Sequence, residues 1–585
     1  MKKYLFASIA VLGLCGTVNA GDVGTVKTRD GEPDKKIAGA IITAANAAAQ
    51  PTYPIASAVA TSRRTVIPVP VPKTSPLLAP NDVAGFAKYG YGVWQEGPKL
   101  AIVKSTDIMP SGYNDESVIP VANLLHFFTM SDVHITDVQC PAQLLVSGLT
   151  RNGNSSAYSP VIPYTTQVLD AAVQTVNYFN ANDRKFDFGI FLGDAANNAQ
   201  YNELRWYIDT IDGRVIKPNS DPAAKESSKT PLYMRQFQTA GLDKTIPWYQ
   251  VMGNHDHFYL GTWVESPKTS NAAVGKNIID VGLNPSNPLA GTGNYGGVVN
   301  STTAFAEVIY AGPKGNFRTQ PKVNANPVRR ALAKAEWIAE FFKTSPGSLP
   351  PGHGFDKSKL LSACYTFEPK AGLLKVIALD DTETDNMPSA MGAASGFIDE
   401  ERYKWLVDEL DKGQAENKLM IIAAHIPIGQ TGLWADPTSR PSESGLIAKL
   451  HTYPNLLMWI SGHLHRNTVT PMPSPDKARP ELGFWVVETA SLRDFPQEFR
   501  IFDVVRNSDN TVSIIAIDVD PSVRRTQPAE ISRSYGIAAD EIFPAPKYPP
   551  VNTPSHAYNA QLFKQLSPEM QLKIQNYAAP GASFQ

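Results

Sequence analysis

Cysteine is scarce: Cys15, Cys140 and Cys364 are the three in 585 residues. A net charge of −2 leaves no basic footprint, so nucleic acid is not expected as the main partner. Beyond residue 20 no apolar run reaches the ~20 residues that a bilayer helix needs, so no membrane span is expected. Internal repeats are absent as well. Histidine is also sparing, at ten, and the positions of those ten carry most of the functional signal.

The first 20 residues read as an export signal. Lys2 and Lys3 precede the apolar run Tyr4–Leu14, and Val18-Asn19-Ala20 supplies small residues for cleavage after Ala20. Leu14 is too bulky before Cys15 for a lipoprotein junction. The mature chain is therefore expected outside the cytoplasm, periplasmic or secreted. There Cys140 and Cys364 are either one disulfide or two separate buried thiols.

Residues 21–115 form a proline-rich N-terminal extension, with a short alanine-rich helix at Ala40–Ala49 and an extended stretch at Val66–Pro80. The main body spans 116–520. Leu124–Met130, Phe186–Leu192, Ile246–Met252, Leu373–Leu379, Lys418–Ala424 and Asn455–Ser461 read as buried strands. Helical periodicity appears at Thr165–Asn180, Tyr201–Thr210, Asp399–Leu410 and Ser442–His451. This alternation is that of an α/β domain. It is interrupted at about 258–362 by a lid-like insertion holding one helix, Val328–Lys343, capped by Asn326. Phe484–Glu488, Arg500–Val505 and Val512–Ile517 have no helices between them and read as antiparallel additions. Residues 521–585 form a C-terminal extension, loop-rich apart from a helix near Pro568–Tyr577.

Chemistry gathers where strands stop. Ile246–Met252 runs into Gly253-Asn254-His255-Asp256-His257, and Leu124–Met130 into Ser131-Asp132-Val133-His134. Phe186–Leu192 ends in Gly193-Asp194, Lys418–Ala424 in His425, and Asn455–Ser461 in Gly462-His463-Leu464-His465. The carboxyl edge of an open α/β sheet is where ligands bind. Asp, Asn and His without thiolate suit divalent or trivalent Zn, Mn or Fe. D-x-H and H-x-H each send two donors to one side of an extended segment.

In that order, D-x-H, G-D, G-N-H-D, a lone His and G-H-x-H resemble the signature of calcineurin-like metallophosphoesterases, over roughly residues 124–470. The resemblance implies a four-layer α/β/β/α sandwich. It also implies two metal ions, one held by Asp132, His134, Asp194 and His465, the other by Asp194, Asn254, His425 and His463, with Asp194 bridging. His255 is implied as the group near the substrate that steadies phosphoryl charge or protonates the leaving oxygen, with Asp256 orienting it. Two divalent ions bring four charges and Asp132 with Asp194 cancel two. The surplus favours a small phosphate ester plus a hydroxide, and water attacking directly without a phosphoenzyme. Phosphomonoesters and phosphodiesters both remain open as substrates, and so does a non-catalytic protein that binds phosphorylated ligands through its metals.

The chain departs from the family at Asn197, where many relatives carry a second Asp. No Tyr stands there either, so tyrosinate-to-iron colour is not expected. G-N-H-D-H replaces the G-N-H-E-F-D of secreted nucleotidases, and the chain after His465 is too short for their base-binding domain, which disfavours a 5′-nucleotidase. Of the other candidates, His126 reads as a buried structural histidine and His257 as a wall or surface group. Asp380 and Asp381 read as turn or helix caps. Arg466 and Arg493 read as structural or surface pairs before phosphate contacts, and Tyr259 and Trp263 as core or lid packing before a stacking platform.

Overall fold

The structure, a computed structural model, describes residues 55, 57–150, 157–281, 293–385, 394–430, 433–434, 436, 438–524, 527–544 and 553–575. The expected signal segment and the Ala40–Ala49 helix lie outside them. Two large sheets carry the fold. Their strands in chain order are β1 (Val103–Ser105), β2 (Pro120–Met130), β3 (Phe188–Phe191), β4 (Trp248–Gln250), β5 (Tyr365–Lys370), β6 (Leu374–Ala378) and β7 (Leu419–Ala423). There follow β8 (Leu456–Ser461), β9 (Thr468–Met472), β10 (Phe484–Glu488), β11 (Phe499–Asn507), β12 (Val512–Val519) and β13 (Ala560–Lys564). The seven-stranded sheet runs β1-β13-β12-β11-β2-β3-β4 and the six-stranded sheet β5-β6-β7-β8-β10-β9. β2, β3 and β4 are mutually parallel, as are β6, β7, β8 and β10. In each sheet, then, the parallel strands release their chain ends at one edge.

The sheets pack face to face, and the alternation of side chains sorts the layers. Val376, Ala378, Ile421, Ala423, Met458, Ile460, Trp485 and Val487 point inward and share one core with Phe127, Phe188 and Phe502 of the other sheet. Phe188 meets Phe367 edge-on at 5.1 Å, and Thr129 Oγ1 lies 2.9 Å from Thr489 Oγ1 across the gap. The alternate residues Ile377, Ile422, Trp459 and Val486 pack outward on helices α4 (Glu400–Ala415) and α5 (Glu443–Leu450). Helices α1 (Thr165–Asn182) and α2 (Tyr201–Ile211) cover the other sheet with Val168, Ala172, Val176, Leu204, Tyr207 and Ile208. Helix, sheet, sheet, helix is the four-layer sandwich. Because the parallel strands are covered on both faces, they are nearly continuous apolar runs.

The sequence pattern was misleading in three places. The helix expected at Val328–Lys343 is broken. Asn326 does cap Val328, but the turn stops at Arg329. The buried Arg329 guanidinium bonds Ser220 and the Asn324 carbonyl, and the Arg330 carbonyl accepts from Tyr201 N. Helix resumes only in α3 (Lys334–Glu340), where the Glu336 carboxylate accepts from Ala333 N. β10 is not an antiparallel addition: it lies parallel to β8, and the edge strand β9 folds back antiparallel on it. After Asp520 the chain is not only loop, since α6 (Pro528–Ile542) precedes α7 (Pro568–Gln575). Of the two readings open for the cysteines, the separate thiols hold: Cys140, buried, and Cys364, half-buried, are both free. The terminal segments are woven into the main body, because β1 and β13 pair with each other at one end of the seven-stranded sheet. No helix among the described residues is long and apolar enough to cross a membrane.

Candidate metal centre

The loops leaving β2 and β3 run side by side. Asp132 N donates to Gly193 O at 3.1 Å and His134 N to Asp194 O at 2.9 Å. From the other sheet, Gly462 N donates to His425 O at 3.0 Å. Two glycines let these loops close in. A Cβ on Gly253 would stand 2.2 Å from Asp194 Oδ1, and one on Gly462 1.8 Å from Ser131 Oγ. Asp132, His134, Asp194, His463 and His465 hold φ between 47° and 78°, a region that costs non-glycine residues about 1–2 kcal/mol each. Strain collected this densely marks a site the rest of the fold over-determines.

Each central carboxylate divides its two oxygens. Asp194 Oδ1 accepts from His255 N at 2.8 Å, while Oδ2 faces His425 Nε2 at 3.3 Å and His134 Nε2 at 3.5 Å. Asp132 Oδ2 accepts from His463 N at 2.9 Å. Its Oδ1, fully buried and without a hydrogen-bond partner, faces His465 Nε2 at 3.4 Å, His134 Nε2 at 3.8 Å and His425 Nε2 at 3.9 Å. One oxygen of each acid thus staples the backbone and the other is left for a cation. His134 Nε2 and His465 Nε2 approach to 3.1 Å, and His463 Nδ1 and His425 Nε2 to 3.3 Å. Facing lone pairs at that range repel unless positive charge lies between them. Asn254 Oδ1 stands 3.0 Å from His425 Nε2, and its NH2 donates to Gly261 O at 2.8 Å, which settles the amide with oxygen inward.

All seven residues expected to ligate are therefore together. Asp132-His134-His465 and Asp132-Asp194-His425 are each compact enough to hold an ion, and Asn254 Oδ1 and His463 Nδ1 stand 3.0 and 3.3 Å from His425 Nε2. The electrostatics agree. Burial alone would lower the His425 and His465 imidazoles, but Asp194 in one case and Asp132 in the other override it and raise both to about 10. Burial pushes the Asp132 and Asp194 carboxyls up, yet the imidazoles hold both below the usual carboxylate range. As a set of side chains, the cluster attracts positive charge.

His255 lies against this group, its ring 4.5 Å from that of His134, and with His134 and Asp194 it forms a third compact triplet. Its Nδ1 donates to Asn197 O at 2.7 Å, leaving Nε2. Asp256 does not reach that ring. Its oxygens accept from Ala196 N and Gly253 N at 3.1 and 3.0 Å, so it fastens the turn that presents Asn254 and His255, and the Asn197 carbonyl orients the imidazole instead.

Several groups that the sequence did not single out support the site. Glu488, fully buried, accepts from Leu464 N between His463 and His465. Glu203 accepts from Asn197 N and Asn198 N, and Asp494 accepts from His465 Nδ1 at 2.7 Å. Asp381 caps a turn, accepting from His425 N and Ile426 N, while Asp380 pairs with Lys334 and Arg402. Arg466 pairs with Glu488, and Arg493 is buried beside Asp494. His126 is buried against Phe186 and Asp503, and His257 pairs with Asp385 at 3.1 Å. Tyr259 and Trp263 pack with Ile279 of the insertion and with Cys140 and Leu144 of the segment after β2.

No protein-family profile and no curated protein matches the chain. Among solved structures it is similar to a dimetal phosphatase from Danio rerio, at 10% identity and a TM-score of 0.35, covering 68% of this chain and all of that one. It is also similar to a candidate 5′-nucleotidase from Staphylococcus aureus in complex with α-ketoglutarate, at 12% identity and a TM-score of 0.28, covering 70% of this chain and 57% of that one.

Proposed function

We propose that the chain is an exported phosphoric-ester hydrolase working with two metal ions. The observation that carries this reading is the division of labour in Asp132 and Asp194, each spending one oxygen on the opposite loop and turning the other toward imidazole nitrogens. Asp132, His134, Asp194 and His465 would hold one ion, and Asp194, Asn254, His425 and His463 the other. Bound there, the ions supply Lewis acidity to a phosphoryl oxygen and acidify water for direct attack.

The chain's own residues do the rest. Asn254 keeps its oxygen inward because Gly261 O takes its NH2. With Nδ1 engaged by Asn197 O, His255 can pass a proton to a leaving oxygen, or hydrogen-bond a phosphoryl oxygen, only through Nε2. Asp256 keeps the turn closed behind it. The test is turnover of para-nitrophenyl phosphate and bis-para-nitrophenyl phosphate by protein loaded with Mn, Zn or Fe. Turnover of at least one ester, lost on chelation, is expected. A metal-loaded chain that turns over neither yet binds phosphorylated ligands tightly would overturn the enzymatic reading.

A further inference from the structure

The four candidate imidazole ligands are not supported alike. His425 donates Nδ1–H to the Leu192 carbonyl at 2.7 Å, a neutral acceptor. His465 alone among them, within the described residues, has a carboxylate behind its second nitrogen, Asp494 Oδ2 at 2.7 Å. In the neutral ring that bond keeps the hydrogen on Nδ1, so Nε2, aimed at Asp132 Oδ1, is the nitrogen that would meet an ion.

The segment carrying Asp494 is tied to the other sheet's ligand loop. Ser491 pairs with Ser131 as an isolated bridge, Leu492 N donates to Ser131 O, and Ser491 Oγ donates to Asp132 O at 2.7 Å. Behind it, Gln497 N donates to Asp494 O at 2.7 Å, and Gln497 Nε2 donates to Arg493 O and to Ser532 Oγ of α6. The segment that presents the Asp494 carboxylate is thus fixed to the Asp132 loop in front and to α6 behind.

We propose that Asp494 is a positioning residue for one ion of the pair: it sets the tautomer and heading of His465, so the ion shared by Asp132, His134 and His465 depends on it and the ion at Asn254 and His425 does not. The inference rests on the two-metal reading above. A carboxylate behind a ligating imidazole raises its basicity, and losing such a partner typically weakens metal binding about 10- to 100-fold. With its side chain 29% exposed, Asp494 can be replaced without opening a buried cavity.

The experiment titrates the metal-stripped full chain with Zn against a chromophoric chelator, alongside elemental analysis, for wild type, Asp494→Asn, Asp494→Ala and Asp494→Glu. Wild type should take two ions. Asp494→Ala should keep one at wild-type affinity and hold the other about 10- to 100-fold more weakly, Asp494→Asn should fall between, and Asp494→Glu should recover part of the loss. Two ions at wild-type affinity in Asp494→Ala, or equal weakening of both, would overturn the proposal. A wild-type chain that binds no Zn, Mn or Fe would instead overturn the two-metal reading itself.

Discussion

The two sheets bring different chemistry to their common edge. The seven-stranded sheet delivers both carboxylates, the amide and the imidazoles of His134 and His255, whereas the six-stranded sheet delivers only imidazoles, at His425, His463 and His465. The first half has the charge without enough donors, and the second has donors without charge. Neither is a metal site alone, so ion binding and the docking of the two sheets should be one event.

The sharpest way to break that comparison is to remove the charge at its centre. Asp194→Asn should lose both ions by elemental analysis and fall to background turnover, because Asp194 Oδ2 faces imidazoles of both sheets. Retention of one ion would mean that one of the two sites forms without the shared carboxylate. Next comes chelation. At a metal concentration 100 times Kd, binding contributes about 2.7 kcal/mol of stability, so stripped protein should melt several degrees lower in a thermal scan. An unchanged midpoint would separate metal binding from sheet docking.

Smaller still is the effect of His255→Ala, which should keep both ions but lower kcat about 10²-fold. Loss of an ion in this variant would move His255 from proton carrier to ligand. The smallest effect concerns His353, away from the shared edge, whose ring stacks on Trp248 at 3.5 Å. Burial lowers its pKa from 6.5 to about 4, so between those values the unfolded chain binds the extra proton and stability falls as pH drops through that window. His353→Asn should flatten that fall in denaturant titrations, and an unchanged slope would place the proton uptake elsewhere.

How far the sequence could be read follows the physics of each element. Parallel strands buried on both faces are continuous apolar runs, and donors at their ends are visible because His is rare. The strands and the donors at their ends were legible on those grounds, whereas the four-layer order and the choice of seven candidate ligands rested on the resemblance of the motif set to a known family. α6 was not legible, since Ser532, Arg533 and Gly536 interrupt the side that Ala529, Ile537, Ala538 and Ile542 bury. The break at Arg329 was invisible because its bond to Ser220, distant in the chain, together with a local bond to Asn324 O, overrides a good cap. Asp494 carries no ligand spacing, and only the fold places it behind His465. Asp256 shows the opposite error: its place next to His255 suggested an orienting role, yet helical geometry turns it back onto Gly253 and Ala196.

The central claim is that Asp194 joins two cations, each of them held by residues from both sheets. Diffraction from crystals of metal-loaded protein, collected on either side of the Mn, Fe and Zn absorption edges, tests it directly. The account predicts two anomalous peaks about 3.5–4 Å apart with the Asp194 carboxylate between them. A single peak, or two peaks with Asp194 outside both coordination shells, would contradict it.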